Sequence, residues 1–236
     1  MKILAIVPAY NEEGNLNSLL EKLRQYNIDI LVVNDCSTDN TLDICERHLV
    51  SYVDLPNNLG IGGAVQTGYK FAARYDYDIA IQIDGDGQHN PEYISDLITP
   101  IINNEADMVI GSRYIAKEGF QSSIFRRMGI KHFSNLIKLL LQTKITDPTS
   151  GFRACTKSVI RLFAQSYPAD YPEPETIVTL LRQRYKVVEV PVIMNSREKG
   201  ASSINKVKAV YYMFKVSLAI VIDFLRVEKK EISIEK

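Results

Sequence analysis

Cysteine is scarce in this chain, and its scarcity excludes two kinds of protein. The 236 residues include three cysteines, Cys36, Cys45 and Cys155, an odd number without C-x-x-C spacing. Disulfide-stapled secreted domains and structural zinc sites need more cysteines in closer groups. The sequence therefore predicts a protein of a reducing compartment.

An excess of one charge sign is also missing, because 28 Lys and Arg residues balance 28 Asp and Glu residues. A neutral chain gives no reason to expect general affinity for nucleic acid, so we expect no nucleic-acid partner. The apolar run at residues 3–7 is too short for a signal peptide and predicts a strand instead. We therefore expect a cytoplasmic protein.

An uninterrupted apolar run of about 20 residues, the length that spans a bilayer, is missing as well. Residues 207–227 come nearest, but Lys208, Lys215, Asp223 and Arg226 interrupt them. This pattern is typical of a helix lying at a membrane surface or against a partner, and equally of an ordinary amphipathic helix on the domain itself. We expect a C-terminal amphipathic helix and charged tail at residues 206–236.

The glycine pattern G-x-G-x-x-G does not follow the first strand, where Pro8, Ala9, Tyr10 and Asn11 stand instead. Dinucleotide oxidoreductases bind pyrophosphate with that pattern. Its absence argues strongly against hydride transfer.

Short apolar runs alternating with helical patterns are present, and they predict an α/β fold with a mostly parallel central sheet and helices on both faces. The strand candidates are residues 3–7, 30–33, 52–55, 79–83, 108–110 and 187–192. The first helix has its inward positions at Leu16, Leu19, Leu20 and Leu23. The second begins near residues 37–39 and has Leu42, Cys45 and Leu49 facing inward. The third has Ile61, Val65, Tyr69 and Ala72 on its inward face. A further helix at residues 125–141 places Arg127, Lys131 and Lys138 on one face.

The most informative stretch is the apolar run 79–83, which ends in Asp84, Gly85, Asp86, Gly87 and Gln88. Carboxylate and amide oxygens at the end of a buried strand suit Mg²⁺ or Mn²⁺, ions that usually arrive bridging phosphates. An acidic turn without a ligand is the alternative.

Asp35 stands at the end of the second strand, where its carboxylate could accept a hydrogen bond from a base or ribose. The neighbouring Ser37, Thr38 and Asp39 could instead cap the next helix without involving Asp35.

Together these segments resemble glycosyltransferase family 2, the inverting enzymes with the A-type nucleotide-sugar fold, and within it the polyprenyl-phosphate sugar transferases similar to dolichol-phosphate mannose synthase. The resemblance covers roughly residues 3–205, which we expect to form the catalytic domain 1–205. Its motifs, in order, are PAYNEE (8–13), VVNDCSTDNT (32–41), NLGIGGAVQTGYKFA (58–72), IDGDGQHNPE (83–92), GSRY (111–114), TDPTSGFRA (146–154) and REKGASS (197–203).

The resemblance implies a set of site residues. Nucleotide-binding positions would be Pro8, Tyr10, Glu12, Asp35 and Asp84, and the metal ligands would be Asp86 and Gln88. Catalytic positions would be Asp86, Arg113, Arg127 and Arg197, and acceptor-binding positions would be Arg113, Arg126, Arg127, Ser134 and Arg197. Arginines suit this role because their planar forks bind phosphate oxygens in a bidentate fashion.

Charge explains why cations are needed, because a nucleotide sugar and a lipid phosphate bring several negative charges together. Two like charges about 4 Å apart repel by roughly 4 kcal/mol at an effective dielectric near 20. A phosphate nucleophile is already anionic near neutral pH and requires no strong base. A sugar-hydroxyl acceptor would require one, and Glu173 or Glu175 is the candidate, unless these residues only begin a helix.

Two departures bear on specificity. Asn34 stands where many family members have a second aspartate, and Ser203 where mannose-transferring relatives often have a basic residue. The motifs incline towards a UDP-sugar donor and a polyprenyl phosphate acceptor at the inner face of the cell membrane. A small membrane protein or a second copy of the chain could be a partner. The alternatives are a family 2 enzyme acting on a glycan or protein hydroxyl, and a nucleotide-sugar binding module without turnover.

Overall fold

The structure is a computed structural model that describes residues 1–116, 118, 124–170, 172–195 and 206–225. In the two helices that begin at residues 124 and 206, side chains are described from residue 127 and residue 213 onward. Of the predicted site residues, Arg197 and the side chain of Arg126 lie outside the described part, as does Ser203.

Seven strands form one mixed sheet in the order β3-β2-β1-β4-β6-β5-β7. They are β1 Ile3–Ala9, β2 Asp29–Asn34, β3 Ser51–Asp54, β4 Ile79–Gln82, β5 Met108–Ser112, β6 Arg153–Thr156 and β7 Val187–Pro191. Every neighbouring pair is parallel except those that β6 makes with β4 and β5. The predicted mostly parallel α/β sheet is confirmed.

Eight helices surround the sheet within the described residues. They are α1 Leu16–Leu23, α2 Thr41–Arg47, α3 Gly60–Arg74, α4 Ile94–Ile102, α5 Ile124–Leu141, α6 Lys157–Gln165, α7 Pro172–Arg182 and α8 Lys206–Leu225. A short 3₁₀ turn, Pro91–Tyr93, precedes α4.

Alternating side chains of the strands feed two apolar cores, one on each face of the sheet. Leu4 and Ile6 of β1 pack on the face covered by α3, α5, α6, α7 and α8. Ala5 and Val7 pack on the opposite face, which α1, α2 and α4 cover. Helices therefore lie on both faces, as predicted.

Several local predictions were wrong. Helix α2 begins at Thr41 rather than near residue 39, and it ends at Arg47, so Leu49 lies beyond the helix with φ +49° and is 92% exposed. Ile61, predicted to face inward, is 39% exposed in the first turn of α3. Strand β6 and helix α6 were not predicted, because a four-residue strand that begins with arginine lacks an apolar run.

Candidate active site

The site lies at the carboxyl ends of β2, β1 and β4. These three strands are neighbours and parallel, so their ends meet at one edge of the sheet, the place where ligands bind in open α/β folds. A cleft of about 1220 Å³ opens there. It is lined by the predicted nucleotide-binding residues Pro8, Tyr10, Glu12, Asp35 and Asp84 and by the predicted metal ligand Asp86.

The turn after β4 carries the two aspartates and is held close to β1. The Gly85 amide donates to the Pro8 carbonyl at 3.2 Å, and a Cβ on Gly85 would lie 3.0 Å from the same oxygen. Gly87 has φ +73°, a conformation that glycine adopts without strain. Asp86 is 6% exposed, and its Oδ1 accepts the Gln88 amide at 3.0 Å.

The donor set fits a divalent cation that arrives with phosphates. Within the described residues, no group of three or more His, Cys, Asp or Glu side chains could hold a metal by itself. Mg²⁺ usually keeps one or two protein carboxylates and takes its other ligands from water and substrate phosphates. Asp86, with Asp84 beside it and the half-buried Gln88 side chain two residues on, supplies such a partial set of hard oxygens.

Asp35 is buried between β2 and the start of α3. Its Oδ1 accepts the Leu59 amide at 2.7 Å, and its own amide donates to the Ala9 carbonyl at 2.9 Å. The hydrogen bond at the start of α2 comes from Asp39, whose Oδ1 accepts the Thr41 amide at 3.0 Å. Asp35 takes no part in it, and its contact with a base or ribose stays a prediction.

Asn34 is directed towards the neighbouring strand. Its Nδ2 donates to Asp54 Oδ1 at 2.7 Å, and its Oδ1 accepts the Ser37 amide at 3.3 Å. An aspartate at this position would face the carboxylate of Asp54.

Two loops of the cleft are joined by reciprocal hydrogen bonds that sequence reasoning missed. Asn11 accepts the Thr38 amide at 2.8 Å and donates its own amide to Ser37 at 2.9 Å. The amide of Glu12 donates to Thr41, and Glu13 accepts from Asn40. Complementary Asn, Glu, Ser and Thr residues after two neighbouring strands were the signal that could have found this contact.

The charged side chains that line the cleft are mostly acidic. Among the residues that the structure describes, its lining contains six carboxylates, Glu12, Glu13, Asp35, Asp39, Asp84 and Asp86, and one guanidinium, Arg47. An anionic diphosphate would be repelled by this lining unless a cation accompanied it.

Arg113, on the opposite side of β4, forms a buried bidentate pair with Asp147. Arg113 Nε lies 2.6 Å from Asp147 Oδ2, Nη2 lies 2.7 Å from Oδ1, and Nη2 also donates to Thr149 at 3.2 Å. Burial alone would lower the pKa of Arg113, but the hydrogen bonds to Asp147 outweigh it and raise that pKa. The two side chains form a buried bidentate ion pair.

The loop containing Asp147 is fixed from two further directions. Glu189 of β7 accepts the amides of Thr146 and Asp147 at 2.7 and 2.8 Å, and its burial raises its pKa. The buried Arg153 donates to the Ser150 carbonyl at 2.6 Å and to Thr176 at 2.8 Å. This loop is thus part of the core.

The same loop contacts, at Gly151, the turn of residues 84–88, which we call the metal turn because the predicted metal ligands lie in it. A Cβ on Gly151 would lie 2.9 Å from Gln82 Nε2 and 3.1 Å from Asp84 Oδ2. Only a residue without a side chain fits there while Asp84 keeps its position.

The other predicted acceptor residues that the structure describes lie on α5. Arg127 is exposed, whereas the Ser134 hydroxyl donates to the Ile145 carbonyl, one residue before the Asp147 loop begins. Ser134 therefore fixes α5 to that loop.

Glu175 lies in the first turn of α7 and faces α8. Burial raises its pKa to about 7, and the negative charge of Asp223 on α8 adds to the effect. Lys215 of α8 opposes the shift and forms an ion pair with Asp170.

The outer faces of α5 and α8 combine apolar and basic groups. Phe214, Leu218 and Ile222 are exposed at intervals of four on α8. Lys131 and Lys138 are exposed on α5. In the described part of the chain, no helix is both long and apolar enough to cross a membrane.

Comparison with known proteins agrees with this geometry. The family model described as glycosyl transferase family 2 matches residues 4–163. The UDP-N-acetylglucosamine–dolichyl-phosphate N-acetylglucosaminyltransferase of Methanococcus voltae is 32% identical over 80% of this chain and 84% of its own length. The polyprenol monophosphomannose synthase of Mycolicibacterium smegmatis is 29% identical over 92% of this chain and 86% of its own.

A solved structure of glucosyl-3-phosphoglycerate synthase from Mycobacterium tuberculosis, in complex with Mn²⁺, UDP-glucose and phosphoglyceric acid, superposes with a TM-score of 0.70. The superposition covers 97% of this chain and 81% of the chain of that structure, at 18% sequence identity, and it supports the fold. The fold, the family match and the relatives agree: this chain belongs to glycosyltransferase family 2, with the A-type fold.

Proposed function

We propose that the protein transfers a monosaccharide from a nucleoside diphosphate sugar to a polyprenyl phosphate, with help from a divalent cation. The observation that carries the proposal is the acidic cleft at the ends of β2, β1 and β4, where Asp84 and Asp86 follow a buried strand. Two relatives with about 30% identity are named for transfer to a dolichyl or polyprenol phosphate, which supports the acceptor class.

The donor would lie with its nucleoside among Pro8, Tyr10, Glu12 and Asp35, in the cleft bordered by the two joined loops. Asp86 and Gln88, beside Asp84, would hold Mg²⁺ or Mn²⁺ at the diphosphate. When bound, such an ion supplies Lewis-acid stabilisation of the departing diphosphate. A UDP-sugar is favoured, since the Methanococcus voltae relative is named for UDP-N-acetylglucosamine.

In the reaction, an oxygen of the acceptor phosphate attacks the anomeric carbon of the sugar. The bond from that carbon to the diphosphate oxygen breaks, and the nucleoside diphosphate leaves with the electron pair. A single displacement inverts the anomeric configuration. The anionic nucleophile has no proton to lose, so the chain needs to orient it and offset its charge rather than supply a base.

Arginines would meet the acceptor phosphate. Arg127 is exposed on α5, and Arg126 and Arg197 belong to the same proposed set. Arg113 is proposed as a positioning residue, because direct phosphate binding would compete with its buried pair with Asp147. Ser134 would contribute by holding α5 against the Asp147 loop.

The lipid chain would lie along the outer faces of α5 and α8, at the inner face of the cell membrane. Exposed Lys131 and Lys138 would contribute up to about 1 kcal/mol each near an anionic surface. We propose residues 1–205 as the catalytic domain and 206–236 as the membrane-facing segment. A small membrane protein or a second copy could share that surface.

The direct test incubates purified protein with Mn²⁺, a panel of nucleotide sugars and a short polyprenyl phosphate. Labelled sugar in the organic extract is the expected result. Sugar transferred only to a glycan or protein hydroxyl, or nucleotide-sugar binding without any product, would contradict the proposal and favour one of the two alternatives.

A further inference from the structure

His89 is a buried residue to which the proposed reaction assigns no role. It follows the predicted metal ligand Gln88 directly, and it is 4% exposed. Its ring lies parallel to that of Phe152, with the centroids 4.9 Å apart and 9° between the planes. Phe152 belongs to the loop after Asp147, so the imidazole is held between that loop and the metal turn.

Both ring nitrogens of His89 face the same residue. Nδ1 accepts the main-chain amide of Asp84 at 3.0 Å. A ring nitrogen that accepts a hydrogen bond carries no proton. Nε2 lies 3.7 Å from Asp84 Oδ2. One imidazole therefore contacts the amide and faces the carboxylate of a single aspartate.

Asp84 and Asp86 accept further hydrogen bonds in this turn. Gln82 Nε2 donates to Asp84 Oδ1 at 3.2 Å, and Asp86 Oδ1 accepts the Gln88 amide. Asp84 and Asp86 are separated by a single glycine, and their like charges repel each other. Polar groups that hold one carboxylate in place lower the cost of bringing the other to the same cation.

We propose that His89 is a positioning residue that fixes Asp84, so that the turn from Asp84 to Gln88 is already shaped for a cation-bound diphosphate. This inference rests on the proposed function, because it assigns a support to the same site. The ring acts through the Asp84 amide and carboxylate, without contacting the donor.

Two matched variants separate the hydrogen bond from the packing. His89→Phe keeps an aromatic ring against Phe152 but removes the acceptor. His89→Asn removes the ring but keeps an oxygen near the position of Nδ1. If His89 only fills space, Phe is the milder change; if it positions Asp84, Asn is the milder one.

The first measurement is deuterium exchange of the Asp84 amide by NMR, without metal or nucleotide. We expect exchange about tenfold faster in His89→Phe and near the wild-type rate in His89→Asn, since one lost hydrogen bond has that size of effect. Equal exchange in wild type and His89→Phe would overturn the proposal, whatever the protein binds.

The second measurement is UDP affinity by calorimetry, with Mn²⁺ and with EDTA. We expect His89→Phe to lose about tenfold in affinity in Mn²⁺ alone, and His89→Asn to lose less than about threefold. Equal losses in both variants, or a loss of the same size in EDTA, would reduce His89 to a core residue. If wild type binds UDP equally well in both buffers, the proposed function fails, and amide exchange alone decides whether His89 holds Asp84.

Thermal unfolding of both variants checks that they fold. If His89→Phe does not, His89→Leu takes its place, because it is smaller and also lacks an acceptor. The same exchange and affinity criteria then apply to it.

Discussion

The two sides of the site use charged residues in opposite ways. On the nucleotide side, six carboxylates and one arginine line an open cleft, and the loops that carry them are joined at their rims. On the side of the GSRY and TDPTSGFRA motifs, Arg113, Asp147 and Arg153 are buried and bonded to one another or to main-chain groups. We propose that the first set receives a ligand, while the second stabilises the loop that packs against Asp84.

This difference shows that motif residues of one family need not all be ligands. A carboxylate that lines the cleft can give its charge to a cation. An aspartate in a buried ion pair contributes to stability, and its removal leaves an uncompensated charge. Equivalent substitutions on the two sides should therefore separate stability from activity.

The largest effect is expected from Asp147→Asn. It leaves the guanidinium of Arg113 buried without its carboxylate, which typically costs about 3–5 kcal/mol of unfolding free energy. Urea unfolding of variant and wild type measures this cost. A loss below about 1 kcal/mol would mean that the buried pair is not a structural element.

Asp86→Asn is the matched substitution on the nucleotide side. It removes a carboxylate proposed to hold the cation, and we expect sugar transfer to fall by at least about a hundredfold. The unfolding free energy should change by less than about 1 kcal/mol, measured in the same urea series. Full activity in this variant would remove the metal turn from the mechanism.

Gly151→Ala tests the contact between the two sides. The added methyl group would lie about 3 Å from Asp84 and Gln82, so the Asp84 carboxylate must move. We expect a loss of about tenfold in the affinity for UDP with Mn²⁺, with a smaller effect in EDTA. Ser150→Ala, one residue earlier, is the control for general damage to the loop.

The smallest effect concerns Glu175, which lies away from this contact, against α8. Its pKa of about 7 in the folded protein exceeds the ordinary 4.5, so the folded state binds the proton more tightly. Stability should therefore fall as pH rises from about 4.5 to 7, and Glu175→Gln should be more stable than wild type at pH 8 but not at pH 4.5.

Thermal unfolding at the two pH values checks this, with the exposed Glu105→Gln as control. The same variant addresses the hydroxyl-acceptor alternative. If Glu175 were a general base, its replacement should cost about a hundredfold or more in transfer. With a phosphate acceptor, transfer should stay near the wild-type rate.

Much of the fold could be predicted, because the strands that carry the site are continuous apolar runs. Residues 79–83 lead directly into Asp84, and the leucines of α1 repeat at helical spacing. Strand β6 could not be predicted, since its first residue, Arg153, is buried through three-dimensional contacts that local patterns do not contain. The end of α2 before Leu49 depended on a left-handed backbone turn.

For the site, motif order placed Asp35, Asp84 and Asp86 in one cleft, but it could not say which polar residues hold the others. His89 beneath Asp84 and the pair of Arg113 with Asp147 emerge only when separate strands are brought together. Charge type predicts what a residue can bind, whereas its ion-pair partners in the fold determine whether it is available to bind it.

The most direct measurement is the affinity of the wild-type protein for UDP, determined by calorimetry with Mn²⁺ and again with EDTA. Six carboxylates against one arginine predict that the diphosphate binds at least about tenfold more weakly once the cation is removed. Equal affinity in the two buffers would contradict the account, because the cleft would then accept a diphosphate without the cation on which the proposed transfer depends.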